Sequence, residues 1–527
     1  MLRLPLGIST FSKLRKNNLL YVDKTEHAYN LITNGYRYFL SRPRRFGKSL
    51  FVSTLKEILA GNKGLFNGLW ISNSNYQWHK HGVITLDFSS IEVTSADDFR
   101  IGVCQLLQDI ADDYSLNLTV NPTKPDSALR MIARALFEQF GHVAILIDEY
   151  DNPILQVLNI SKKADEVRKS LRTFFTVIKS LDSFIDFVFI TGVSSFAKAG
   201  LFSGINNLSI ITMDSRYATL CGYTDGEIDH YFTDHLMLWS QKEKLSYDNL
   251  RHQIKEWYNG YHFSANAPSV YNPFSITSTL DAQQFKNFWF QSGAPTFLIE
   301  ELAKDYRKKE HHLFYLEKFE TTEDSLGIFE IGATPLPALM FQTGYLTITN
   351  FDRVKNSYEL GYPNLEVKIA LQKQLLKIYT TLDFAHVENI ALQLFTALNS
   401  QNLPELITLL KQLLVRVPYQ IHIKEEKFYH ALLQVIFGAA GIKTQSESSI
   451  SHGRIDLVLE LPATLYIIEV KFNKSPQEAL AQIDNRKYYE ACLHDNKPVV
   501  LLGLSFIRKP KSFEILYAAK SIPFKKN

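Results

Sequence analysis

Cysteine is scarce in this chain of 527 residues: Cys104, Cys221 and Cys492 stand far apart, in no paired spacing. No disulfide framework and no zinc site is expected from them. Long apolar runs are missing too, and none approaches the roughly 20 residues that a membrane helix needs. Met1-Leu2-Arg3-Leu4-Pro5-Leu6-Gly7 is too short and too interrupted for a signal peptide. The expectation is a cytoplasmic protein with no membrane partner. Repeats and low-complexity segments are also absent, and a net charge of +3 is too small to imply a polyanionic partner by itself. The distribution of charge says more. From Leu403 onward 17 Lys and Arg face 12 Asp and Glu, whereas the rest of the chain carries 40 against 42. The C-terminal part is therefore the expected place for nucleic acid, with a solvated basic face as the plain alternative.

What is present is ample apolar material, 46% hydrophobic against 21% charged, enough for large cores. A chain this long exceeds one core, and ordinary domain sizes give roughly three domains. The organising stretch is Arg42-Pro43-Arg44-Arg45-Phe46-Gly47-Lys48-Ser49-Leu50. Tyr36, Tyr38, Phe39 and Leu40 ahead of it suit a buried strand, and Ser49 to Leu59 behind it has apolar positions at helical spacing. A strand, a turn ending in Gly-Lys-Ser and a helix read as a phosphate loop. Backbone N–H groups at a helix N-terminus face phosphates, Lys48 reaches the β- and γ-phosphates, and the Ser49 hydroxyl ligates Mg²⁺. Arg42 stands where that pattern has its first glycine, and Pro43 follows, so glycine freedom is lost at that corner. A chance Gly-Lys-Ser in an ordinary turn is the bland alternative.

A second stretch adds weight. Val143-Ala144-Ile145-Leu146-Ile147-Asp148-Glu149-Tyr150-Asp151 is an unbroken apolar strand ending in acids, as expected of a strand buried on both faces of a parallel sheet. Asp148 would hold Mg²⁺ through water and Glu149 would polarise the attacking water. A third strand, Phe187 to Gly192, ends at Thr191, a candidate sensor of the γ-phosphate or a plain turn former. With strands also at Gly82–Phe88 and helices at Ser95–Tyr114, Ser127–Phe140 and Lys163–Leu181, residues 1 to 215 predict a three-layer α/β domain with a parallel sheet. The nucleotide site is expected at the carboxyl ends of its strands. From about Arg216 to Gln401 the strand signal fades and helical patterns dominate. The aromatic patches Trp257–Phe263 and Val270–Phe274 are expected to pack against the core domain, and His311-His312 reads as a solvated helix face.

Toward the C-terminus, Glu426 to Phe437 has helical spacing, and Arg454–Leu461 turns through Pro462-Ala463 into Thr464–Phe472, a predicted hairpin. Alternation along the second strand puts Glu469 and Lys471 on one face. With Asp456 opposite, two carboxylates and an ammonium converge. Hard oxygens of this kind hold Mg²⁺, the ion acidifies its water, and the lysine orients that water or balances phosphate charge. The competing reading is a surface hairpin with a cross-strand salt bridge.

Four stretches together, Arg42–Ser49, Leu146–Asp151, Leu201–Leu208 and Trp257–Phe263, resemble the predicted AAA-ATPase-like family fused to a PD-(D/E)XK nuclease-like domain, over nearly the whole chain. In that family a missing first glycine is normal. The resemblance implies an α/β chain with a P-loop ATPase core at 1–215, a helical lid and connecting region at 216–402, and a C-terminal α/β restriction-endonuclease-like domain at 403–527. Arg45, Phe46, Gly47, Lys48, Ser49, Leu50, Asp148 and Thr191 would then bind ATP, with Ser49 and Asp148 on Mg²⁺. Asp456 and Glu469 would hold Mg²⁺ or Mn²⁺, and Lys471 would complete the nuclease centre. Glu426 adds a carboxylate from the preceding helix, and Gly453-Arg454 precedes Asp456 as in the family pattern. Gln482 would stand near the metal or phosphate, with Ile483 and Tyr488 in the next helix. The expectation is an ATP-gated, metal-dependent nuclease, in defence or mobile-element biology, with DNA ahead of RNA as substrate and a homo-oligomer allowed. The alternative is a nucleotide-switched signalling or scaffold protein whose nuclease-like domain only binds nucleic acid or protein.

Overall fold

The structure is a computed structural model that describes residues 1–195, 200–202, 205, 207–291, 298–299, 302–303, 319–326, 335–380, 382–417, 426–450, 453–486, 497–509 and 512–522. His311, His312, Tyr488, Cys492 and, within the Leu201–Leu208 stretch, Ser203, Gly204 and Asn206 lie outside the described residues. The chain divides into two compact units, Met1–Leu298 with Leu316–Asn364, and Ile299–Tyr315 with Leu365–Asn527.

In the first unit, helices α1 (Phe11–Lys16) and α2 (Thr25–Asn34) lead into β1 (Arg37–Ser41), the phosphate loop and α3 (Lys48–Leu59). Next come β2 (Gly82–Asp87), α4 (Ala96–Asp113), α5 (Pro125–Phe140), β3 (Val143–Asp148), α6 (Asn152–Gln156), α7 (Ser161–Ser180), β4 (Ile185–Gly192) and β5 (Ser209–Ile210). The strands form one parallel sheet in the order β2-β3-β4-β1-β5. The step from β1 to β2 crosses the sheet one way, and β2 to β3 to β4 returns the other way. Right-handed crossovers therefore put α3 on one face and α4, α5 and α7 on the other. Every residue of β1 and β3 is buried, which explains the apolar Tyr38-Phe39-Leu40 at the centre of β1 and the unbroken apolar run of β3 up to Asp148. Tyr36 departs from the expected buried strand: it is 71% exposed and lies ahead of β1, because pairing with β4 begins only at Arg37.

Helices α8 (Asp225–Tyr231), α9 (Thr233–Glu243), α10 (Tyr247–Tyr258) and α11 (Pro273–Ala282) bury Phe232, Trp239, Tyr258 and Tyr271 in a common core. Thr224 and Glu227 close a capping box at the start of α8, and Asn272 caps α11 ahead of Pro273. Short helices α12 (Phe288–Gln291), α13 (Glu323–Leu326) and α14 (Leu336–Thr343) follow. This region is mainly helical, as the sequence predicts, but it also holds an antiparallel sheet of β6 (Phe319–Thr321), β7 (Thr347–Asp352) and β8 (Ser357–Gly361) in the order β6-β8-β7. Asp352 and a left-handed Asn356 turn the β7–β8 hairpin.

The second unit has helices α15 (Leu365–Thr380), α16 (Phe384–Asn399), α17 (Leu403–Arg416) and α18 (Glu426–Ala439) ahead of a five-stranded mixed sheet. Its strands are β9 (Lys443–Ile450), β10 (Gly453–Glu460), β11 (Leu465–Phe472), β12 (Val499–Lys509) and β13 (Ser512–Ile522), in sequential order across the sheet. Every neighbouring pair is antiparallel except β11–β12. That parallel pair needs a crossover, which is α19 (Pro476–Asn485).

Candidate active sites

The phosphate loop joins the end of β1 to the start of α3. Gly47 has φ +90° and Arg45 has φ +66°, so two left-handed residues turn the chain into the helix. The Lys48 ammonium is buried and donates to the carbonyls of Arg42 and Pro43 at 3.0 Å each, tying the two ends of the loop together. β4 stands between β1 and β3, so Thr191 lies at a strand end flanked by Leu40 on one side and the Asp148 strand on the other. Ser49 and Lys48 lie beside the Asp148 carboxylate. Burial raises the pKa of Asp148, and Ser49 and Lys48 hold it back. Glu149 is left-handed at φ +48°, and burial raises its pKa, opposed by Lys48 and reinforced by Asp148, Asp151 and Asp87. The Thr191 hydroxyl is fully buried and has no hydrogen-bond partner among the described residues. Lys48, Ser49, Asp148 and Glu149 are thus brought together around one point.

Three loop residues do something the sequence did not reveal. Arg42 is 1% exposed, and its guanidinium donates to the carbonyls of Ser41 (2.9 Å), Thr212 (2.7 Å) and Tyr217 (3.2 Å) while lying 4.1 Å over the Phe263 ring. Desolvation pushes its pKa down to about 10, so it stays a cation. The residue at the missing-glycine corner is a strut beneath the loop. The Phe46 ring points away from the loop's open side into Tyr261 and Phe263, edge-on at 4.8 and 5.3 Å, which leaves only its backbone for a ligand. Arg45 is exposed and lies 5.1 Å over Phe274. On the other flank Trp289 donates to the Arg44 carbonyl at 3.0 Å, and Gly344 (φ +89°) approaches so closely that a Cβ there would stand 2.7 Å from Pro43. The aromatic patches therefore pack against the core domain, as expected, and they do so on the loop itself. Asp151 has a role that sequence pattern did not suggest: it is buried and accepts from the N–H groups of Val193 and Ser194, holding the chain that continues beyond Thr191.

In the second unit, β10 and β11 form the predicted hairpin, with Leu457 opposite Ile468, so the next pair outward is Asp456 and Glu469. Asp456 accepts from the Val470 N–H at 2.9 Å. Lys471 donates to Glu469 Oε1 at 2.9 Å and stands 3.5 Å from Glu426 Oε2, and the start of α18 thereby closes the site from above β11. Glu426 also reaches Lys474 at 3.8 Å. Glu469 is 1% exposed, and its second oxygen, Oε2, is buried without a partner among the described residues. Burial, with the charge of Asp456, pushes its pKa up to about 7, against Lys471 and Arg486. For Lys471 burial works against the charge, yet Glu469, Glu426 and Asp456 outweigh it and raise the pKa. A carboxylate with one orphaned oxygen beside a second carboxylate fits a divalent cation, which would supply the missing partner and offset the crowding of negative charge. Gln482 is half-buried on α19, and none of the hydrogen bonds of Asp456, Glu469 or Lys471 among the described residues goes to it. Of Arg454, which precedes the site on β10, the backbone pairs with Ser449.

Residues 5–202 match the family described as a predicted AAA-ATPase, and residues 424–514 match the PD-(D/E)XK nuclease superfamily. A protein of Azotobacter chroococcum mcd 1, described as an uncharacterized protein in the vnfD 5' region, is 36% identical over 524 residues, 97% of each chain. Among solved structures, the Aeropyrum pernix ORC1 protein in complex with DNA overlaps at a TM-score of 0.27 and 10% identity, over 66% of this chain and 91% of that one. The ORC2 protein of the same organism, in ADPNP and ADP complexes, gives 0.26 and 11%, over 64% and 87%. Structural overlaps this slight say nothing about activity. The near full-length identity to the Azotobacter protein, joined to the two domain matches, makes this chain a member of the predicted AAA-ATPase-like family that ends in a PD-(D/E)XK nuclease-superfamily domain.

Proposed function

We propose that the first unit binds and hydrolyses ATP with Mg²⁺ and that the second cleaves nucleic-acid phosphodiesters with Mg²⁺ or Mn²⁺, DNA being the first substrate to try. The observation that carries the nuclease reading is the convergence of Asp456, Glu469 and Lys471 with a buried, unpartnered Glu469 oxygen. Asp456 and Glu469 would hold the ion, which when bound acidifies its water and offsets phosphate charge. Glu469 must first give up its proton, and its elevated pKa makes that step fall near neutrality. Lys471 then keeps its ammonium on the Glu469 side of the site, where it orients a water or a phosphate oxygen, while Glu426 fixes the lysine from α18. The residues do not resemble a plain surface salt bridge, because Glu469 and Lys471 are both buried and burying an ion pair costs more than it returns unless further partners complete it.

At the other site, Lys48 and the N–H groups at the start of α3 would hold the phosphates, with Ser49 and Asp148 on Mg²⁺. Glu149 would draw the proton of the attacking water, and the buried Thr191 hydroxyl would sense the γ-phosphate. Covalent fusion of the two units motivates the further reading that nucleotide state gates cleavage, in a setting of defence or mobile-element biology. Purified protein incubated with plasmid, single-stranded DNA and RNA, with Mg²⁺ or Mn²⁺ and with or without ATP, should cut at least one of these only when the divalent ion is present. Salt-sensitive binding with no cleavage under any metal would leave a binding module instead.

A further inference from the structure

At the end of the first sheet opposite the phosphate loop, three strands begin side by side. His81 directly precedes β2 and His142 directly precedes β3, and since Gly82 faces Val143 the two imidazoles are neighbours, their centroids 5.3 Å apart. Val143 faces Ile185 while Ala144 faces Phe187, so Asp186 is the extra residue of a bulge in β4. A bulge re-aims a side chain. Here it brings the Asp186 carboxylate to 2.7 Å from His142 Nδ1. One donor atom from each of His81, His142 and Asp186 lies within 4.8 Å of the other two.

The tautomer and the mounting are both fixed. His81 Nδ1 sits 3.0 Å from the His79 carbonyl, which can only accept, so the proton is on Nδ1 and the lone pair is on Nε2. A ligating histidine is commonly oriented in this way, by giving its other N–H to a backbone carbonyl. Its backbone N–H is tied to Leu59 and the His142 carbonyl to Gly82, each at 2.8 Å, so the donors stand on rigid strand starts. The side of His142 is exposed and gives an ion a way in, and the exposed ring of His79 lies 5.7 Å from the His142 ring.

We propose that His81, His142 and Asp186 form a site for a transition-metal ion, Zn²⁺ or one of like preference, separate from both Mg²⁺ sites. Two imidazoles and one carboxylate suit Zn²⁺, Co²⁺ or Ni²⁺, whereas Mg²⁺ and Ca²⁺ take oxygen shells. Bound there, the ion would pin the starts of β2, β3 and β4 to one another. The scarcity of cysteine does not bear on it, because no thiolate is used.

The test is metal counting on tag-free, full-length protein stripped with EDTA and returned to millimolar Mg²⁺, so that oxygen sites are filled. Titration with Co²⁺, followed by its visible absorption and by displacement with Zn²⁺, should give the wild type one more equivalent than His142→Ala or Asp186→Asn. Asp186→Asn keeps the size of the side chain and a hydrogen bond to His142, so a lost equivalent in that variant is not a failure to fold. Removing Zn²⁺ should lower the thermal midpoint of the wild type and leave that of both variants unmoved. Equal stoichiometry in all three proteins would overturn the proposal and leave the histidines as a tilted pair held by an acid.

Discussion

Replacing Glu469 by Gln separates what this carboxylate costs the fold from what it does for the site. Its pKa of about 7 in the folded second unit stands against an ordinary 4.5. At about 1.4 kcal/mol per unit, holding it ionised costs the folded unit about 3 kcal/mol relative to the unfolded chain. The folded state keeps the proton to higher pH than the unfolded state does, so this contribution is fully present below pH 4.5 and is lost as pH rises through about 7. Glutamine cannot ionise. With divalent ions chelated, the unfolding free energy of the wild-type second unit should therefore fall by about 3 kcal/mol more than that of Glu469→Gln between acid and mildly alkaline pH. Added Mg²⁺ should restore the wild type at the alkaline end and do little for the variant, because an ion that binds only the folded state stabilises by mass action. All five tryptophans, Trp70, Trp78, Trp239, Trp257 and Trp289, lie in the first unit. A far-ultraviolet dichroism transition that tryptophan fluorescence does not share thus reports the second. Other titrating groups are common to both proteins and cancel in the difference. Parallel pH slopes for the two would refute the burial argument.

Lys48→Ala should abolish ATP binding in calorimetry, whereas Glu149→Gln should bind ATP and retain it unhydrolysed, since only water activation is lost. Asp456→Ala and Lys471→Ala should each reduce cleavage by orders of magnitude while nucleic-acid affinity and its salt dependence survive; undiminished cleavage after contaminants are excluded would sink the assignment. Arg42→Gly, which restores the glycine of the usual loop pattern, should destabilise the first unit by about 3 kcal/mol or more, because three buried carbonyls lose their donor; a variant that unfolded like the wild type and bound ATP more tightly would contradict the strut reading. If the units are coupled, nuclease rates of wild type and Glu149→Gln with no nucleotide, ADP and ATP should differ severalfold, and identical rates in all six conditions would leave two independent enzymes on one chain.

Period and hydrophobicity made the parallel strands legible, since β1 and β3 are buried on both faces and cannot alternate. Strand order was not legible, because nothing in a strand's own residues says that β4 inserts between β1 and β3. The β7–β8 hairpin was hidden among aromatic helices, although Thr347, Ile348 and Thr349 leading to an Asp-containing turn carried a β-signal. At the nuclease-like site, Glu469 and Lys471 could be paired from alternation alone, and a two-residue turn set Asp456 opposite. The raised pKa of Glu469 could not be foreseen, for it comes from burial in the folded unit and from Asp456 across the hairpin. Arg42 read as a defect in a motif because its partners Thr212, Tyr217 and Phe263 lie far along the chain. Asp151 was in plain view two residues after Glu149, but only the returning end of β4 reveals its role.

The clamp on the phosphate loop bears on how the protein can be cut. A fragment ending at residue 215 would carry the whole parallel sheet and every residue proposed to touch ATP. It would also strip Tyr261 and Phe263 from Phe46, Tyr217 and Phe263 from Arg42, Trp289 from Arg44 and Gly344 from Pro43. A bared phenylalanine and an arginine left in apolar surroundings would then sit in the very loop meant to receive phosphates. Expressed alone, such a fragment should be sticky and nucleotide-blind, and the smallest piece fit for isolated ATPase work runs through Asn364.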